Sequence, residues 1–474
     1  MVKFGTDGWR ARIAEDFTFA NVRLVTQAMI DALKLKSIAI GYDNRFESED
    51  FARAAAEVCS GAGVKTFLSS ASLPSPTLSY WIKDKGLDAG IMITASHNPP
   101  EWNGFKIKES FGGSARPEVT QKVEQNLRTR LPDGQVNSRL NLGENSCLPA
   151  GTAFSTLPIE LFDPQPDYLK HISSFVDLEA IKKANLRIIV DPMYGSGAGY
   201  LKQILPVDEI RGNRNPLFGG VNPEPIPVNL IETISYVREQ ALKYPDDLTV
   251  GIVLDGDSDR IGCVDATGTF ISSHNVFSLL LYHLVENRKM SGKVVKTFNI
   301  TRLVEKQAKK YNLPFEETPI GFKYIADLML KEKVLIGGEE SGGLGIMGNI
   351  PERDGNLCAL LLLELMAVKK QTLKQILDTI MDELGHYYYD RADLHLEREV
   401  FAPLVEKLKS SDKFAGKKVI KLETLDGVKL NFEDEAWILF RPSGTEPLLR
   451  IYSEGRTVDD CDRLLAEGQR LFGF

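Results

Sequence analysis

Three times along this chain an apolar strand closes a run of alternating strands and helices and delivers a loop crowded with reactive side chains, and no other feature restricts the possible folds as much. The first series predicts strands over 37–42 and 64–68, helices over 47–61 and from near Pro76 to Gly86, then strand 89–93 leading into Thr94-Ala95-Ser96-His97-Asn98-Pro99-Pro100. The second predicts strand 186–190, a glycine-rich turn, a helix from Gly199, a helix over 231–242, and strand 250–254 leading into Asp255-Gly256-Asp257-Ser258-Asp259-Arg260. The third predicts strand 293–298, helices over 302–311 and 322–331, and strand 334–336 leading into Gly337-Gly338-Glu339-Glu340-Ser341-Gly342-Gly343. Alternation of this length predicts mainly parallel sheets covered on both faces. A core helix is expected over 357–370. The last hundred residues differ: short alternating strands over 419–422, 429–432, 436–440 and 448–452, then an amphipathic helix over 458–471, predict an α+β unit.

At 474 residues the chain is too long for a single core. The expected fold is three similar mixed-sheet α/β domains plus a smaller C-terminal α+β domain, over 1–155, 156–260, 261–378 and 379–474.

In open α/β sheets ligands bind beyond the carboxyl ends of strands, and Asn98-Pro99-Pro100 stops the chain from continuing as helix or ladder. Ser96 is therefore presented at a sheet end. In a locally extended segment residues i, i+2 and i+4 share a side, so Asp255, Asp257 and Asp259 converge and call for a cation. Oxygen ligands that leave room for a phosphate suggest Mg²⁺. A calcium EF-hand loop needs Gly and Glu where this segment has Arg260 and Ala266, which excludes it. Between the last two expected strands lies Arg441-Pro442-Ser443-Gly444-Thr445-Glu446-Pro447, whose guanidinium, hydroxyls and glycine-freed backbone N–H groups are the parts of a phosphate cradle.

A formal net charge of -8 argues against nucleic acid as the main partner, so an anionic small molecule needs a local basic cluster. The five cysteines, Cys59, Cys147, Cys263, Cys358 and Cys461, have no CxxC spacing and read as reduced thiols. Met1 to Asp7 has no apolar stretch of signal-peptide length, and the most apolar run, 358–363, is cut by Glu364, so the expectation is a cytoplasmic protein without a membrane partner. Gly195-Ser196-Gly197-Ala198-Gly199 lacks the dinucleotide spacing and reads as a tight strand-to-helix turn, and no ATP-binding P-loop is present.

Taken in order, with Phe4-Gly5-Thr6-Asp7-Gly8-Trp9-Arg10 at the start, these segments resemble the α-D-phosphohexomutase family over essentially the whole chain. The resemblance implies a deep central cleft to which each domain contributes one loop. It implies that Ser96 is the phosphoserine, that Asp255, Asp257 and Asp259 hold Mg²⁺ together with the Ser96 phosphate, and that Glu339 and Ser341 bind sugar hydroxyls. Arg441, Ser443, Gly444 and Thr445 would hold the non-reacting phosphate of a small sugar phosphate, with Lys323 lining the same cleft. Arg10, His97, Lys106 and Arg260 would be the basic residues beside the phosphoserine, Lys106 also being the first candidate for proton transfer; His97 is either a donor to the phosphoserine or a packed turn residue. Glucose 1,6-bisphosphate is the implied intermediate and activator. Glu340 resembles the phosphoglucomutases within the family. Arg353-Asp354-Gly355 stands where Lys-Asp-Gly is common, so no inherited role follows for Arg353. The implied activity is interconversion of hexose 1- and 6-phosphates, of glucose first, with a phosphomannomutase or phosphoglucosamine mutase as the alternative; a phosphoserine-type hydrolase and a non-catalytic sugar-phosphate sensor are the two other classes left open.

Overall fold

Buried apolar strands organise the molecule, and the polar chain between them is left at the strand ends. The structure is a computed structural model that describes residues 2–5, 7–130, 157–396, 398–442 and 448–474. The first sheet has six strands, in the order Trp9–Arg12, Trp102–Glu109, Ala89–Ile93, Ser37–Tyr42, Lys65–Ser69, Ile159–Phe162. Its last four run parallel, while Trp102–Glu109 returns antiparallel to Ala89–Ile93 and Trp9–Arg12 pairs antiparallel beyond it. The second sheet orders Phe270–Ile271, Ile261–Asp265, Leu248–Leu254, Leu186–Asp191, Asp208–Glu209, and the third Phe315–Thr318, Lys293–Thr297, Val334–Gly338, Leu344–Ile346.

The expectation of mainly parallel sheets is corrected in one respect. In each of the three, the strand that delivers the reactive loop pairs parallel on one side and antiparallel on the other, with the strand that follows the loop. Each of these three reactive loops is therefore a hairpin connection, which fixes both of its ends on the sheet.

Sheet membership and one helix place the domain junctions somewhat differently from the expected limits. Ile159–Phe162 extends the first sheet past 155, Ile261–Asp265 and Phe270–Ile271 extend the second past 260, and 378 falls within helix Leu373–Leu384. We place the junctions after Phe162, Ile271 and Leu384.

The helix expected from Gly199 is absent; only a single 3₁₀ turn, Leu201–Gln203, follows. Gly199 has a left-handed φ of 80°, which ends rather than starts a helix. The glycine-rich turn instead underlies the loop at 255–260, termed metal-type from the resemblance as the loop at 337–343 is termed sugar-type: Ser196 N donates to Gly256 O at 3.0 Å, and a Cβ on Gly195 would sit 2.7 Å from that oxygen.

Helix Gly355–Lys369 is the expected core helix, buried from Gly355 to Met366 and packed against strands of the second sheet and helix Ser273–Tyr282 of the third unit. A helix apolar all round belongs in such a shared core. Asp354 caps it, accepting from Leu357 N at 3.0 Å and from the Tyr168 hydroxyl at 2.8 Å.

The fourth sheet is wholly antiparallel, in the order Tyr388–His395, Leu448–Gly455, Trp437–Pro442, Val428–Phe432, Lys417–Glu423, Lys413–Phe414. It docks on the third unit: Arg302 N donates to Glu454 Oε1 at 3.0 Å, Ile320 N to Asp426 Oδ2 at 2.9 Å, and Lys429 Nζ to Phe298 O at 2.9 Å. Cys59, Cys263, Cys358 and Cys461 are buried free thiols. Among the described residues no helix is long and apolar enough to cross a membrane.

Candidate active site

Ser96 follows strand Ala89–Ile93 with a left-handed φ of 54°, and its buried Oγ donates to Asp255 Oδ2 at 2.6 Å. A non-glycine residue with positive φ is held there by its surroundings. Thr94 Oγ1 accepts from Ser96 N at 2.9 Å and donates to Asp43 Oδ2 at 2.6 Å. From beneath, the fully buried Arg45 guanidinium donates to the carbonyls of Ser96 and Asn98, each at 2.7 Å, of Pro99 at 2.9 Å and of Trp102 at 3.0 Å. One side chain thus fixes four carbonyls of the serine loop while pairing with Asp43. Gly256 lets the second loop touch the first: a Cβ there would collide with Ser96 O.

Asp255, Asp257 and Asp259 are all buried, and each offers an oxygen such that the three lie within 4.8 Å of one another. Their other bonds leave defined faces free. Asp255 accepts from Arg260 N at 3.1 Å and from Ser96. Asp257 Oδ2 accepts from Ser75 Oγ at 2.5 Å and Lys106 Nζ at 2.8 Å, and Asp259 Oδ2 from Lys106 Nζ at 3.2 Å. Among the described residues, Asp257 Oδ1 and Asp259 Oδ1 are buried without a hydrogen-bond partner. Buried carboxylate oxygens without donors are what a hard cation satisfies, so this donor set fits Mg²⁺. Burial and the charges of Asp257 and Asp259 push the Asp255 carboxyl well above its usual range, so full ionisation of the triplet goes with a cation.

The basic residues expected beside Ser96 surround this cluster. Lys106 is buried and lies 2.9 Å from Asp7, besides its two aspartates of the triplet. Burial alone would lower its pKa, but those three carboxylates outweigh burial and hold the ammonium charged. Arg260 lies 3.6 Å from Asp259 Oδ1 and 3.9 Å from Asp255 Oδ2. Arg10 donates to Asn98 Oδ1 at 2.7 Å. His97 is half-buried with its Nδ1 unpartnered among the described residues; burial first, then Arg260, Arg10, Arg391 and Arg45, push it well below its usual pKa and keep it neutral. Four guanidiniums thus put positive charge around this loop in a chain of negative net charge, although Arg45 and Arg391 are taken up by carbonyls and carboxylates.

The sugar-type loop is stitched to the metal-type loop, Ile261 N donating to Gly342 O at 3.1 Å and Arg260 bridging to Gly343. Glu339 is buried; burial raises its pKa while Arg353 and Arg260 pull it down. Ser341 is half-buried beside it. Glu340 pairs with Arg391 of the fourth sheet at 3.1 Å, and Arg391 also reaches Glu224 at 3.6 Å. Lys323 feels the charge of Asp7, while Arg441 is taken up within the fourth sheet. Lys323 is half-buried, and burial lowers its pKa; Arg441, near the end of strand Trp437–Pro442, pairs with Asp426 at 3.1 Å. Ser443, Gly444 and Thr445 lie outside the described residues.

Arg45, Asp43, Ser75 and Asp7 were not singled out from sequence. Arg45 carries the same signal as the reactive loops, since Asp43-Asn44-Arg45 directly follows strand Ser37–Tyr42. Asp7 lies within the opening motif, where Gly8, with φ of 98°, permits close approach to Phe105 O.

Similarity to known proteins runs along most of the chain. Residues 1–132, 166–268 and 272–384 match the phosphoglucomutase/phosphomannomutase alpha/beta/alpha domains I, II and III, and 401–468 match the C-terminal domain of the same family. The chain is 30% identical to a phosphoglucosamine/phosphogalactosamine mutase of Sulfurisphaera tokodaii, covering 99% of this chain and 98% of the relative. It is 29% identical, with the same coverages, to a phosphoglucomutase/phosphomannomutase of Thermococcus kodakarensis. A crystal structure from Thermus thermophilus, ascribed to a phosphomannomutase, superposes with a TM-score of 0.84 at 32% identity over 99% of this chain and 98% of that one.

Proposed function

Because this chain belongs to the phosphoglucomutase/phosphomannomutase family of phosphohexomutases, we propose that it interconverts hexose 1-phosphates and 6-phosphates through phospho-Ser96, with glucose phosphates as its main substrates. The observation that carries this reading is Ser96 Oγ, 2.6 Å from one of three buried aspartates whose free oxygens converge.

A serine hydroxyl is a weak nucleophile, so the resting enzyme acts as a donor already phosphorylated on Ser96. A sugar hydroxyl attacks phosphorus, the bond to Ser96 Oγ breaks, and the hydroxyl proton passes to the departing oxygen or a neighbouring base, giving a hexose 1,6-bisphosphate. After the sugar reorients, its other phosphate returns to Ser96 and no phosphate is consumed. Such transfer depends on positioning and charge neutralisation. Asp255, Asp257 and Asp259 would hold Mg²⁺ with the Ser96 phosphate, and the bound ion supplies charge neutralisation there. Arg10, Arg260 and Lys106 supply the remaining positive charge. Lys106, held charged by three carboxylates, contributes positive charge and is no proton acceptor; neutral His97 acts as a hydrogen-bonding group. Glu339 and Ser341 grip the 3- and 4-hydroxyls, near the axis of reorientation. Arg441 with Ser443, Gly444 and Thr445 anchors the second phosphate, Lys323 lining the path. Glucose 1,6-bisphosphate activates by phosphorylating Ser96.

A second reading, a hexosamine-phosphate mutase, is favoured by the name of the 30%-identical relative. Glu340 speaks for glucose instead, through the resemblance of this position to the phosphoglucomutases. A coupled assay with Mg²⁺ and a trace of glucose 1,6-bisphosphate separates the readings, using glucose, mannose and glucosamine 1-phosphates side by side. Glucose 6-phosphate is the expected main product, and Ser96→Ala should lower turnover by several orders of magnitude while retaining sugar-phosphate binding. Release of inorganic phosphate from every substrate, or full activity of Ser96→Ala, would reject the reading.

A further inference from the structure

Arg353, for which the sequence suggests no role, is buried where the amino-terminal segment, the metal-type loop and the sugar-type loop meet. Its Nη2 lies 2.5 Å from Asp7 Oδ2 and 2.9 Å from Asp259 Oδ2, its Nη1 3.5 Å from Glu339 Oε2, and its Nε donates to Glu352 Oε1 at 3.2 Å. One side chain therefore spans a carboxylate of the amino-terminal segment, one of the metal-type triplet and one of the sugar-type loop. The site is built around it. Gly343 clears its stem, since a Cβ there would collide with Arg353 Cδ. Glu352, which holds its Nε, is itself fixed by Lys108 Nζ at 2.5 Å and Ser114 Oγ at 2.7 Å, and Ser114 Oγ lies 2.9 Å from Asp7.

Resting on the mutase reading, we propose that Arg353 is a positioning residue that sets the metal-facing carboxylate of Asp259 and the sugar-facing carboxylate of Glu339 in one geometry. Each of those groups has two oxygens and two tasks. Arg353 takes Asp259 Oδ2 and Glu339 Oε2, which leaves Asp259 Oδ1 for the cation and Glu339 Oε1 for a sugar hydroxyl. The planar guanidinium presents five donors in a fixed fork. A lysine ammonium keeps the charge but cannot hold Glu352, Asp259 and Glu339 together from one rigid plane. Arg353 touches no reacting atom; it acts through its partners.

The test compares Arg353→Lys, Glu352→Gln and Glu339→Gln in the full-length protein. Steady-state kinetics with glucose 1-phosphate give KM and kcat, and calorimetric titration with Mg²⁺ alone reads the metal. Arg353→Lys should raise KM about tenfold, as expected for one lost charged hydrogen bond, and weaken Mg²⁺ binding severalfold. Added to Glu339→Gln, it should raise KM no further, because both changes remove the same contact. Glu352→Gln, nearly isosteric, should shift KM and Mg²⁺ affinity in the same direction by a smaller factor, and carries the comparison alone if Arg353→Lys does not fold. A residue that served only the fold would lower the melting temperature and the active fraction while leaving KM and Mg²⁺ affinity unchanged, and that result, or multiplicative KM effects in the double variant, overturns the proposal. Absence of mutase activity in the unsubstituted protein would overturn the mutase reading and this proposal with it, whereas an active protein indifferent to Arg353→Lys and Glu352→Gln overturns the proposal alone.

Discussion

Lys429 projects from strand Val428–Phe432 into the seam between the third and fourth units, where its ammonium meets Phe298 O and lies 4.7 Å and 4.3 Å from the rings of Phe298 and Trp437. Burial, with Lys296 and Arg302 adding to it, pushes its pKa down to about 7, against the opposing pull of Glu317 at 4.0 Å and of Glu454. The unfolded value is about 10.4. Between these values the unfolded chain binds more protons than the folded one, so this residue's contribution to stability rises with pH, and below about 7 its burial penalty is present in full. Lys429→Met should remove a slope of up to about 1.4 kcal/mol per pH unit across that window. Melting temperatures of the two proteins from pH 7 to about 10 check it, and parallel profiles would contradict it. Such residues mark the limit of what sequence shows. The convergence of the aspartate triplet was legible in its i, i+2, i+4 spacing, as was the placing of Ser96 in a turn after an apolar strand; the role of Ser96 came from the resemblance. Asp7, Arg45 and Arg353 were not legible, since each acts on groups brought to it by folding: Arg353 meets Asp7 across 346 positions.

At the scale of elements, the recurrent unit is a parallel strand, a reactive hairpin loop and an antiparallel return strand. The strands leading into the loops were legible as short apolar runs, Ala89–Ile93 among them. The return strands were not. In Trp102–Glu109 the lysines at 106 and 108 suggest an exposed face, yet both are buried against carboxylates of other loops. The pattern of that strand gives no reason for a buried Lys106; only the resemblance set it beside Ser96, and Asp257 is what faces it. The glycine-rich turn at 195–199 resisted reading for a related reason, its purpose being close approach to Gly256. Loop contact at this point is tight enough to test. Gly256→Ala drives a Cβ into Ser96 O, so the serine loop and metal-type loop must separate. Turnover should fall about 10²-fold, as for a misplacement on the order of 1 Å, with weaker Mg²⁺ binding and native circular dichroism. Retained activity would show that the two loops need no such contact.

Across the whole molecule, each of the three α/β sheets presents one hairpin loop, and the order of those loops along the chain made the architecture legible before any distance was available. What stayed hidden was the meeting of the loops. Asp255 lies 159 positions from Ser96, yet their side chains are hydrogen-bonded, and Glu340 is tied by Arg391 to the fourth sheet. On the proposed mechanism, a phosphate on Ser96 and a metal on the aspartate triplet would occupy one shared site. Mn²⁺ replacing Mg²⁺ allows this to be read directly, by pulsed electron–nuclear double resonance on protein phosphorylated with glucose 1,6-bisphosphate and freed of excess ligand. A strong ³¹P coupling to the bound Mn²⁺, lost in Ser96→Ala, is the expected result; bound Mn²⁺ with no ³¹P coupling in fully phosphorylated protein would contradict the account.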